Sequence, residues 1–220
     1  MTRKCPLQGG AVLGLALLGV LSSMNASAAV VYTTLGPSGQ FQGSMWNLGT
    51  SNGNNQVVGA TFSLSSSTTV GDAVLALGYQ KGDNSPVNVY IESDNSGSPG
   101  AILYSLSQIG VIPAWDSGAG SGLVTFTCPS CNLAAGSYWL VAQQPDAGSL
   151  QGWAFAYSGS PYLQAPLASD QTGSATGPWF AFPTTNVGFE IETPTPEPAS
   201  LILLGSGLLV LAGAIRRRAA

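Results

Sequence analysis

Histidine is absent from all 220 residues. Its absence removes the commonest general base, the commonest metal ligand and the partner of any Ser-His or Cys-His nucleophile. Basic residues are nearly as scarce: Arg3, Lys4, Arg216, Arg217 and Arg218 stand at the two extremes, and Lys81 alone lies between them. Against Lys81 the stretch 29–192 sets Asp72, Asp83, Glu92, Asp94, Asp116, Asp146, Asp170, Glu190 and Glu192, a net charge of −8. A segment with one lysine has nothing to neutralise phosphates, so no nucleic-acid partner is expected and adhesion to anionic lipid is disfavoured. Cysteine is confined to Cys5, Cys128 and Cys131, too few for a zinc site when no histidine can complete it.

What is present begins at the ends. Residues 1–28 carry Arg3 and Lys4, an apolar run from Ala11 to Leu21, and the small-residue site Ala26-Ser27-Ala28. This is the layout of a secretory signal peptide, with cleavage expected before Ala29 and Cys5 leaving with it. At the other end, residues 193–198 form a Pro-rich linker, and the 17 residues Ala199 to Ile215 carry no charge. That is the short end of the length needed for a membrane-spanning helix. Its leucines and isoleucines each favour insertion by roughly 0.3–0.6 kcal/mol, offset in part by Gly205, Ser206, Gly207 and Gly213. Arg216, Arg217 and Arg218, in the basic tail 216–220, belong on the cytoplasmic side by the positive-inside rule, which puts residues 29–192 beyond the inner membrane.

Pro196-Glu197-Pro198, then a short apolar span, then an arginine cluster at the extreme C-terminus: this order resembles the PEP-CTERM sorting signal of Gram-negative, polysaccharide-producing bacteria. The resemblance implies that a membrane-embedded protease, the exosortase, recognises the tail, cuts near Pro196-Glu197-Pro198 and delivers the body to the cell surface or extracellular matrix. The physical reading agrees, because Pro194, Pro196 and Pro198 cannot continue a helix and keep this stretch extended for a protease.

Between the ends lie about 160 residues, enough for one core that buries about 70% of the unfolded surface. Gly, Ser, Thr, Asn and Val are abundant there, and alternation of period two recurs: Ala60-Phe62-Leu64, Leu75-Leu77-Tyr79, Val87-Val89-Ile91, Val124-Phe126, Tyr138-Leu140-Ala142, Trp153-Phe155-Tyr157 and Val187-Phe189-Ile191. Each reads as a half-buried strand. Turn signals such as Ser51-Asn52-Gly53, Lys81-Gly82-Asp83-Asn84 and Gly97-Ser98-Pro99-Gly100 separate them. Eight to ten short strands at this spacing predict an all-β body over residues 29–192, an antiparallel β-sandwich of jelly-roll type.

The segment Val87 to Asp94, followed by Gly97-Ser98-Pro99-Gly100 and then Gly136-Ser137-Tyr138-Trp139-Leu140, resembles the β-sandwich domain called choice-of-anchor R, found in exported bacterial proteins with interchangeable C-terminal anchors. That resemblance implies a fold and a setting and no substrate.

Four groups of residues are open to chemistry. Cys128-Pro129-Ser130-Cys131 follows a strand rather than a helix N-terminus, so a local disulfide pinning a turn is expected in place of a redox pair. Glu92 and Asp94, in a turn rich in Ser, Asn and Gly, offer oxygens to calcium, although the same residues make ordinary turns. Glu92 with Asp94, and Glu190 with Glu192, are the carboxylate pairs a glycosidase would need; edge-strand carboxylates are more often simply solvated, and no enzyme activity is expected. Of the five tryptophans, Trp139 lies in an alternating strand and reads as core, whereas Trp115 and Trp179 lie in loop-like sequence and are the candidates for exposed platforms that stack on sugars. The expectation is an exported matrix or surface protein, structural or adhesive, with no cofactor. Its partners are an exosortase-type protease, the inner membrane through residues 199–215, and extracellular polysaccharide or other matrix proteins. The alternative is a carbohydrate-binding module.

Overall fold

The computed structural model describes residues 27–51, 54–82, 84–115, 122–146, 148–161, 167–182 and 185–195. The chain divides into two units, Ala28–Pro194, and Met1–Ser27 with Thr195–Ala220. The expected apolar span, the basic tail and the signal peptide as far as Ser27 fall on the second unit; of these three segments only Ser27, and Ala28 at the start of the first unit, lie among the described residues. Among the described residues no helix is long and apolar enough to cross a membrane.

The first unit is all β. Its strands are β1 (Val30–Thr33), β2 (Met45–Ser51), β3 (Asn54–Leu64), β4 (Thr68–Lys81), β5 (Asn88–Asp94), β6 (Pro99–Ile109), β7 (Gly122–Leu133), β8 (Gly136–Gln143), β9 (Leu150–Ala154), β10 (Leu167–Asp170), β11 (Phe180–Phe182) and β12 (Phe189–Glu192), with one 3-10 turn at Pro37–Gly39. Every ladder between them is antiparallel.

The sandwich expectation requires correction, because the sheet closes on itself. From β4 the pairing runs through β7, β6, β5, β8, β3, β2 and β9 and returns to β4, a barrel of eight strands. Two strands make the closure by changing partner along their length. β6 pairs β5 from Pro99 to Leu106 and then β7 from Ser107 to Ile109. β2 pairs β9 from Met45 to Gly49 and β3 from Gly49 to Ser51. Closure satisfies backbone groups that two open sheets would leave at their edges. Inward and outward side chains alternate in a barrel as they do in a sandwich, so the sequence pattern does not separate the two.

Two ribbons branch from this ring. β4 gives Asp72–Leu75 to β12 and Leu77–Lys81 to β9, so β12 and β1 diverge where β9 stops. β3 gives Asn54–Gln56 to β2 and Val57–Ala60 to β10, which carries β11.

The interior holds the predicted periodic residues: Ala60, Phe62 and Leu64 of β3, Leu75 and Leu77 of β4, Val89 and Ile91 of β5, Val124 and Phe126 of β7, Leu140 and Ala142 of β8, and Phe189 and Ile191 of β12. Trp153 lies among them, its indole donating to the Gly188 carbonyl at 2.9 Å and meeting Phe189 edge-on. A second apolar layer covers the outer face of β8, β3 and β10, where Val57, Trp139, Val141, Ala168 and Ala175 pack with Tyr90 and Trp179. Residues 171–179 are held to this face by Asp170, whose Oδ1 accepts from the Thr172 amide at 2.7 Å and the Ser174 amide at 3.1 Å, and by Gln143, which donates to the Gly173 carbonyl at 2.6 Å.

Candidate functional site

The site is the place where the chain leaves the barrel toward its C-terminal tail. Phe189 and Ile191 of β12 are buried, which fixes the strand in register and turns Glu190 and Glu192 to the opposite face. β12 lies between β1 and β4, with Val30 opposite Glu192 and Glu192 opposite Asp72. The next residue is tied down: the Thr193 amide donates to the Ala29 carbonyl at 2.9 Å, and the Ala29 amide donates to Thr193 Oγ1 at 3.0 Å. The start of the expected mature chain and the stem of the tail are thereby clasped to each other.

Gly71 supports the clasp from beneath. A Cβ at this position would stand 2.4 Å from Pro194 Cα and 2.5 Å from Pro194 N, so the stem crosses where only glycine leaves room. On its other side, β4 faces a bulge in β7. Val70 pairs Cys131 and Asp72 pairs Thr127, leaving residues 128–130 against Gly71 alone. Cys128 and Cys131 form a disulfide across the base of that bulge, with a Cα–Cα distance of 5.6 Å. The expected turn between strands is therefore a bulge within one strand, since pairing with β4 continues on both sides of it.

Three carboxylates gather at the exit. Asp72, Glu190 and Glu192 are all held above the usual carboxylate range by burial. At Glu190 a hydrogen bond from Thr33 opposes the shift. At Glu192 the charges of Glu190 and Asp72 add to it. Glu190 and Glu192 share a face as predicted, but their company is Asp72 and the tail stem rather than a cleft.

The remaining predicted residues lie elsewhere. Glu92 of β5 is fully buried, both carboxylate oxygens lack a hydrogen-bond partner, and burial pushes its pKa up to about 7. Asp94 is exposed and already engaged, accepting from the Trp139 indole at 2.8 Å and from the Gly97 amide at 3.2 Å. Among the described residues no three His, Cys, Asp or Glu side chains gather in a way that could hold a metal. Trp115 is half-buried against Leu35, Ala76 and Ala154. Trp179 is half-buried in the other outer layer, against Val57, Trp139 and Val141. The structure does not join these two tryptophans in one platform, and among the described residues the exposed large aromatic is Phe180, at 55%. Pro196, Glu197, Pro198, Arg216, Arg217, Arg218 and Ala26 lie outside the described residues; Ala28 lies within them, half-buried. Sequence reasoning missed Gly71, Asp72 and Thr193, whose roles depend on a pairing of β1, β12 and β4 across more than a hundred residues of chain.

The tail that leaves this exit matches a family model, the PEP-CTERM protein-sorting motif, over residues 194–218. The match begins one residue beyond the Ala29–Thr193 clasp. No curated protein and no solved structure matches the chain.

Proposed function

We propose that the chain is an exported surface protein that an exosortase sorts through its C-terminal tail and cuts near Pro196-Glu197-Pro198. In this reading a signal peptide ending at Ala28 directs export, residues 199–215 hold the precursor in the inner membrane, and Arg216, Arg217 and Arg218 stay on the cytoplasmic side. The barrel then passes to the cell surface or the exopolysaccharide matrix, where it has a structural or adhesive role, without enzymatic activity or a cofactor.

The single observation that carries the reading is the match of residues 194–218 to the PEP-CTERM protein-sorting motif. The exit geometry supports it, since the motif begins at the clasped end of a closed domain that can finish folding before the tail is processed. The charge of the body supports a neutral or protein partner in the matrix over an anionic one. A sugar-binding role for Trp115 and Trp179 lacks the exposed aromatic pair that it requires.

The test is replacement of Pro196, Glu197 and Pro198 by alanine in the producing bacterium, with fractionation and immunoblotting. Full-length precursor retained in the membrane is expected, and normal release of a shortened product overturns the sorting assignment.

A further inference from the structure

We propose that removal of the signal peptide arms a latch: the ammonium group freed at Ala29 fastens the stem of the sorting tail to the barrel through Thr193 and the carboxylates of Glu192 and Asp72. The inference rests on the export reading above and adds a role for the new N-terminus. Hydrolysis of the Ala28–Ala29 bond adds one water across it, leaving a carboxylate on the departing peptide and an ammonium on Ala29. What was an amide with a single N–H becomes a cation with three donors.

The geometry at that nitrogen is already set. Ala29 N lies 3.0 Å from Thr193 Oγ1, and its carbonyl holds the Thr193 amide at 2.9 Å. The neighbouring pairs are Val30 with Glu192 and Glu192 with Asp72, and residues directly opposed in an antiparallel ladder share a face. Two carboxylates therefore stand in the one row next to the nitrogen, Glu192 on the adjoining strand and Asp72 on the strand beyond it, with Glu190 two residues back along β12. No cation within β1, β12 or the adjoining half of β4 neutralises them: Lys81 stands nine residues along β4 from Asp72, roughly 30 Å away. The three acids repel one another until a positive charge arrives, and leader cleavage makes one at this spot.

The latch has a direction. Before cleavage, residue 29 offers Thr193 one hydrogen bond and no charge. After cleavage the same nitrogen holds the stem by charge as well, so the segment leading into the sorting motif is fixed once the N-terminal end has been processed.

The experiment uses the full chain, exported with its leader in a host that lacks the sorting protease and purified in detergent. Mass spectrometry locates the mature N-terminus. One portion is acetylated at about pH 6.5, where the α-amine reacts and Lys81 remains protonated. Acetylation keeps one N–H for Thr193 and deletes the charge. The free-amine form is expected to melt about 2 °C above the acetylated form and to be cut at Thr193–Pro196 by a broad-specificity protease about threefold more slowly. Both differences are expected to shrink at high salt and to vanish in the D72N/E192Q double variant. Equal melting and equal cutting of the two forms, with the mature chain starting at Ala29, overturns the latch alone. A mature start anywhere else overturns the latch together with the leader assignment.

Discussion

Replacing Glu92 by Gln is expected to stabilise the barrel strongly at neutral and alkaline pH and hardly at all in acid. Glu92 is fully buried on β5, and neither carboxylate oxygen finds a donor. Burial lifts its pKa from 4.5 to about 7 in the folded state. The folded protein thus holds this proton more tightly than the unfolded chain does. Stability from this residue is full below about pH 4.5, declines as pH rises toward 7, and stays low above it. At about 1.4 kcal/mol per pH unit, the interval between 4.5 and about 7 corresponds to about 3 kcal/mol. Gln has the size of the protonated acid and never ionises, so the variant escapes the decline while keeping a similar neutral group in place. For a domain of this length, about 3 kcal/mol shifts the melting temperature by about 6–12 °C. The assay is thermal melting of both proteins from pH 4 to pH 9, compared at each pH so that the common contributions of Asp72, Glu190 and Glu192 cancel. The curves should converge near pH 4 and separate to a constant gap above pH 8. A gap that does not change with pH, or none at pH 8, refutes the argument that an unpartnered buried charge is at issue.

Trp139→Phe keeps the ring in the outer layer and deletes the indole donor to Asp94. A loss of about 2–3 kcal/mol in denaturant unfolding is expected, from the lost donor and from the volume removed at a fully buried site, and it should be about 1 kcal/mol smaller when Asp94 has first been replaced by Ala. Gly71→Ala forces a Cβ against Pro194, so the stem must move. Limited proteolysis at Thr193–Pro196 should quicken, with the barrel itself losing about 1–3 kcal/mol. Reduction of Cys128–Cys131 releases a loop of so few residues that denaturant unfolding should lose at most about 2 kcal/mol, without loss of the strand signal in circular dichroism.

The strands were legible in the sequence because inward and outward residues alternate wherever one face is buried. Val87-Val89-Ile91 and Tyr138-Leu140-Ala142 mark β5, from the residue before its start, and β8, and these alternate positions do line the interior or its edge. Alternation reports sidedness, however, and not partnership. The changes of partner within β6 and β2, which make a barrel out of what reads as a sandwich, depend on contacts between strands far apart in the chain.

The same limit governs the side chains on the outer face of the barrel. Alternation sets Glu92 opposite the core-facing Val89 and Ile91, which ordinarily means solvent. Its face is the one shared with Trp139, directly across on β8, and that face is covered. A second apolar layer on the outside of a barrel has no signature within the strand it covers; its cover comes from residues 171–179, anchored by Asp170 and Gln143. Trp179, a candidate for exposure from its loop-like sequence, is half-buried as part of that cover, and Trp115 serves the corresponding layer over Ala76 and Ala154. The sorting motif was readable for the opposite reason. Pro196-Glu197-Pro198, an uncharged run and Arg216-Arg217-Arg218 stand in linear order and owe nothing to a tertiary partner. Where that tail departs does depend on tertiary structure. Gly71 must yield room, Thr193 must meet Ala29, and β12 must lie between β1 and β4, so the exit exists only once the two ends of the body have paired.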